Sequence, residues 1–85
     1  MKKYFVIYAS YLETEGLDAS FLMFDTEEEA KKSLKESYDI IKNDIEDFEW
    51  NDFDEDSYSV GGYSEYGNFE RYEAYIDKKE IEVKE

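Results

Sequence analysis

The chain contains no cysteine, no histidine and no proline. Without cysteine there is no disulfide, no thiol nucleophile and no thiolate ligand for structural zinc. Without histidine the commonest general base is missing, and the seven serines have no imidazole to activate them. Glycine is scarce. Gly61, Gly62 and Gly67 form no GxGxxG fingerprint and no glycine–lysine pair opens a helix, so the usual phosphate cradles are absent. Hydrophobic runs are short, and none reaches the length of a membrane span. Met1 to Ser10 places two lysines before a short apolar run that meets Glu13 and Glu15, which does not read as a signal peptide. Positive charge is also in deficit: ten Lys and Arg stand against 24 Asp and Glu, for a net charge of −14. Such a chain repels nucleic acid and anionic lipid, which argues against direct binding to either.

Against these absences stands a concentrated acidic block. Asp44, Glu46, Asp47, Glu49, Asp52, Asp54, Glu55, Asp56, Glu65 and Glu70 fall between Asn43 and Glu70, a stretch with no Lys, Arg or His. Phe48, Trp50, Phe53, Tyr58, Tyr63, Tyr66 and Phe69 are interleaved with them. Disordered acidic tails lack aromatics. The block therefore reads as a folded surface that presents fixed negative charge.

The 85 residues fit one domain, 1–85, with no repeat and no linker. Lys3 to Leu12 is apolar on both alternating faces, which predicts a central strand covered on both sides. Glu13 to Asp18 reads as a turn around Gly16, and Ala19 to Phe24 as a second strand. Thr26 and Glu29 have the spacing of a capping box. Ala30, Leu34, Tyr38, Ile41, Ile45 and Phe48 then form one helical stripe, which predicts a helix from about Glu27 to about Phe48. Asn51 to Glu55 reads as a loop and Asp56 to Tyr63 as a third strand, with a bulge or close backbone approach at Gly61–Gly62. Phe69 to Ile76 is a fourth strand, Asp77 to Glu80 a charged turn, and Ile81 and Val83 a short fifth strand. The expected fold is a two-layer α+β domain of order β-β-α-β-β. It has one antiparallel or mixed sheet of four to five strands, with the single helix on one face. The opposite face would carry tyrosines, and a second copy could meet it there or at an unguarded edge strand.

Asp52 to Asp56 begins like a calcium loop. The sixth position is Ser57 where glycine is required, and the twelfth is Tyr63 where a bidentate glutamate is required, so no metal site is assigned. Paired carboxylates are plentiful, but an acid catalyst needs an apolar pocket that a domain of this size has little room for. No catalytic residue, metal or cofactor is assigned, and the expectation is a protein that is not an enzyme.

The remaining reading is a mimic of nucleic-acid phosphates. On a helix, Asp39 with Glu46 and Glu49, or Glu36 with Asp39 and Asp47, would form a row of charges, which the loop acids would extend. The expected partner-binding residues are Glu46, Asp47, Glu49, Asp52, Asp54, Glu55 and Asp56, with Trp50 as an apolar anchor. The expected partner is a basic nucleic-acid-binding protein, such as a nuclease complex in the cytoplasm. In size and composition the chain resembles the small acidic, cysteine-free α+β inhibitors that phages and mobile elements direct against host nucleases, the anti-restriction and anti-CRISPR DNA mimics. No family motif matches residue by residue, so the resemblance carries over no functional residues. The alternative is a small accessory or structural domain that dimerises, or binds a protein, through a tyrosine-rich sheet face.

Overall fold

Thr26 sets the start of the helix. Its backbone is extended, and its hydroxyl oxygen accepts a hydrogen bond from the Glu29 amide at 3.2 Å. Glu27, Glu28 and Glu29 fill the first turn, where the helix dipole favours negative charge. The computed structural model describes Lys2 to Glu80, and the expected strand at Ile81 and Val83 lies outside the described residues. The elements are β1 (Lys2–Leu12), β2 (Gly16–Phe24), α1 (Glu27–Asp44), β3 (Asp47–Asp54), β4 (Ser57–Tyr63) and β5 (Phe69–Glu80). They form one five-stranded sheet in the order β2-β1-β5-β4-β3, and every neighbouring pair is antiparallel. The two-layer α+β expectation holds.

Alternation decides what is buried. Val6, Ala74, Tyr58 and Val60 point to the helix side and pack with Ala30, Leu34, Tyr38 and Ile45. Tyr4, Tyr8, Phe24, Ile41, Tyr72 and Ile76 border that core. Hydroxyl groups tie the layers together: Tyr8 Oη lies 2.9 Å from Ser33 Oγ, and Ser37 Oγ lies 3.0 Å from Tyr58 Oη. Most of the tyrosines thus serve the helix side. The other face has no helix among the described residues and carries Phe5, Ile7, Leu17, Phe21, Met23, Trp50, Phe69 and Tyr75, joined by Tyr11 and Tyr63. β1 is central, as expected, but covered on one side only.

Three expected boundaries are corrected. The helix ends at Asp44, not near Phe48. Ile45 takes extended angles and returns its N–H to the Ile41 carbonyl at 3.1 Å. Asp44, Glu46 and Asp47 crowd the negative end of the helix dipole with only Lys42 to offset them, so continuing the helix would be unfavourable. The segment from Asp47 to Asp54 is a strand, not a last helical turn and a loop. The charge rows built on a helix from Asp39, Glu46 and Glu49, or from Glu36, Asp39 and Asp47, therefore do not exist. Finally, β5 runs on to Glu80 through the expected turn, because Asp77, Lys78 and Lys79 pair with Phe5, Tyr4 and Lys3 of β1.

Candidate anionic interface

β3 lies at one edge of the sheet and, among the described residues, pairs only with β4. A bulge shifts the register between Phe48 and Trp50. Phe48 opposes Gly62 and Trp50 opposes Gly61, so their side chains leave on opposite faces. Beyond the bulge, Asn51 and Phe53 face the helix. There Tyr38 Oη donates to Asn51 Oδ1 at 2.7 Å, and the Tyr38 and Phe53 rings lie 4.5 Å apart. By the register, Asp47, Trp50, Asp52 and Asp54 share the uncovered face. Asp52 and Asp54, two residues apart on a strand, are separated by roughly 6.7 Å.

Trp50 is fixed between these acids. Its indole N–H donates to Ser59 Oγ at 2.9 Å, its ring lies 6.1 Å from Phe69, and Phe69 meets Tyr63 edge-on at 5.6 Å. Gly61 leaves the space the indole occupies, and Gly62 admits the backbone of Phe48 and the Ile45 side chain. The glycine pair is the close approach expected from sequence, and the bulge lies across from it on β3.

The structure divides the predicted acids. Asp47, Asp52 and Asp54 share a face with Trp50, while Glu49 sits in the bulge and Glu46 in the preceding connection. None of these five makes an ion pair among the described residues. Glu55 and Asp56 differ. They form the β3–β4 turn and reach Lys31 of the helix at 3.1 and 3.9 Å. Hydrogen bonds to Glu55 and then Glu27 hold the Lys31 ammonium above the ordinary lysine range. These two acids are partly compensated and help to dock the helix.

Composition did not point to a second acidic feature. Glu13, Asp44, Glu46, Glu65 and Glu70 line an open cleft of about 780 Å³ with Leu12, Tyr66 and Phe69, and Lys42 is its one base among the described residues. The cleft forms where the β1–β2 turn, the C-terminal end of α1 and the β4–β5 turn meet. Phe69 N–H donates to Glu13 Oε2 at 2.8 Å, and Glu46 N–H donates to the Tyr63 carbonyl at 3.0 Å. Glu70 accepts a hydrogen bond from Tyr72 on one carboxylate oxygen, while the other is buried without a partner. Burial first, and Glu70 second, push the Tyr72 hydroxyl well above the usual tyrosine range. Glu13 is distant in sequence from the block, so only the fold could bring it here. Glu46 links this cleft to the strip on β3.

No protein-family model, no curated protein and no solved structure matches this chain. No helix among the described residues is long and apolar enough to cross a membrane.

Proposed function

We propose that the protein is a non-enzymatic inhibitor that seats its β3 edge in the basic nucleic-acid groove of a partner and keeps nucleic acid out. One observation carries this reading: Asp47, Asp52 and Asp54 flank Trp50 on one face of a fixed edge strand, without a basic partner among the described residues. Charges already held in place lose little ordering entropy on binding. An edge strand also projects beyond the body of the sheet, a shape that fits a groove. The indole is half-buried, and its remaining surface supplies an apolar anchor among the charges. The partner would be a DNA- or RNA-binding protein such as a nuclease complex, in keeping with the phage inhibitors that the composition resembles.

The reading is tested by affinity capture from a bacterial lysate, with and without excess duplex DNA. The purified captured protein is then assayed for displacement of labelled duplex. Capture should fail in excess DNA, and displacement should weaken steeply with added salt. The double variant D52K/D54K should stay folded and lose displacement. Capture that is indifferent to DNA, or displacement that survives the charge reversal, refutes the proposal.

A further inference from the structure

The two edges of the sheet are built in opposite ways. β3 is guarded by Asp47, Glu49, Asp52 and Asp54 and by its bulge, devices that stop an edge from recruiting another strand. β2 has no bulge and no such run of acids. It pairs without interruption from Gly16 to Phe24, has no lysine or proline, and carries Asp18 as its only charge. Among the described residues no strand pairs with its outer edge, and the Ala19 N–H turns to the neighbouring Asp18 carboxylate at 3.0 Å. Leu17, Phe21, Leu22 and Met23 are 78, 65, 52 and 53 % exposed, so four of nine positions show apolar surface to water.

These four residues do not share a face. Leu22 pairs with Val6 on the helix side, whereas Leu17, Phe21 and Met23 pair with Tyr11, Ile7 and Phe5 on the open side. The helix leaves Leu22 half exposed. A partner stacked on the open face would cover three of the four and leave Leu22 wet. A strand added at the edge shields both sides at once.

We propose that β2 is the seam of a symmetric homodimer, in which the outer edge of one β2 pairs antiparallel with the β2 of a second copy. An antiparallel strand pairing with itself is the isologous arrangement that a two-fold axis requires. Charge selects the same contact. Two chains of −14 repel, and face-to-face stacking would bring the β3 acids within about 10 Å of the opposing sheet. At the β2 edge the guarded strand is four inter-strand spacings away, roughly 19 Å, against a Debye length of about 8 Å. Both acidic edges then lie at the far ends of a ten-stranded sheet, free for the partner proposed above.

The contact is small. A nine-residue edge is about 30 Å long, and the domain is 15 Å deep along its shortest axis. The strip per copy is on the order of 450 Å², at the low end for a specific interface. The dimer is therefore reversible and set by concentration.

Sedimentation velocity between micromolar and millimolar protein tests this. The weight-average mass should climb from the 10.2 kDa of one chain toward twice that, and more readily as salt is added. Two variants adding the same charge separate the geometries. Leu22→Glu, at the seam, should weaken association roughly tenfold or more. Tyr75→Glu, on the open face and also half exposed, should leave it almost unchanged. Hydrogen exchange on the unmodified chain gives a second readout: β2 amides should gain protection as concentration rises. A chain that stays monomeric at millimolar concentration, association at least as sensitive to Tyr75→Glu as to Leu22→Glu, or association without β2 protection overturns the proposal. The β3 reading survives any of these failures, because it concerns the other edge.

Discussion

The indole of Trp50 occupies the space where residue 61 would carry a side chain, so β3 and β4 fit together only because that residue is glycine. A methyl group there would overlap three ring atoms at once. Gly61→Ala must therefore push the indole out or part the two strands. Overpacking of this kind costs about 1–3 kcal/mol. Trp50 is the only tryptophan, so its emission reports the change directly: it should shift to the red as the ring becomes wetter. An alanine variant with unchanged emission and melting would show that β3 is not held this way.

Tyr38 joins the helix to the acidic strand. Its hydroxyl donates to Asn51 at 2.7 Å, and its ring lies against Phe53 and Tyr58. Tyr38→Phe keeps the ring contacts and removes one hydrogen bond, which should cost about 0.5–1.5 kcal/mol. In a double-mutant cycle with Asn51→Ala the two losses should not add, since both variants remove the same bond. Strict additivity in denaturant melts would mean that the bond contributes nothing in solution.

The helix start is legible because its signals are local: Thr26 and Glu29 fix it, and Ala30, Leu34 and Tyr38 follow at core spacing. Its end is not, because Ile45 and Phe48 continue the helical spacing although neither lies in the helix. Ile45 is buried from the extended cap, whereas Phe48 sits on a strand and stays exposed. Two competing effects decide the boundary, the acids at the negative end of the dipole and the pairing of Asp47 with Tyr63. The second is long-range and cannot be read from a window of residues. β3 was hidden further by its bulge, which breaks the two-residue period between Phe48 and Trp50, and by carboxylates on its uncovered face where strands usually carry apolar or neutral groups. The acidic block itself is visible in composition. That Lys31 takes up Glu55 and Asp56, and that Glu13 joins Glu65 and Glu70 at one cleft, depends on the fold.

Alkaline pH should loosen the core. Burial pushes the Tyr58 hydroxyl above the ordinary value of 10.0, and burial with Glu70 does the same more strongly for Tyr72. Above pH 10 the unfolded chain sheds tyrosine protons that the native state retains. Stability is thus full below pH 10 and falls as pH climbs through the folded-state values. Tyrosinate absorbance followed with circular dichroism should show Tyr58 and Tyr72 ionising only as the helix signal is lost. Tyr72→Phe should delay that loss. Simultaneous ionisation of all the tyrosines with the helix intact would contradict it.

Salt should stabilise the domain. Two opposed contributions respond to ionic strength: exposed ion pairs such as Lys35 with Asp39, which screening weakens, and repulsion among carboxylates, which screening relieves. The first is small, since pairs of this kind contribute at most about 1 kcal/mol each. The second acts across a net charge of −14, and Asp47, Glu49, Asp52 and Asp54 follow one another along a single strand with no base between them. Repulsion dominates, so the melting temperature should rise between low and physiological salt. D52N/D54N should melt higher than the unmodified chain at low salt and show a smaller gain as salt is added, because part of the repulsion is already gone. A melting temperature that falls with salt would mean that ion pairing outweighs repulsion, and the acids of β3 could then not be the uncompensated strip that a cationic groove requires.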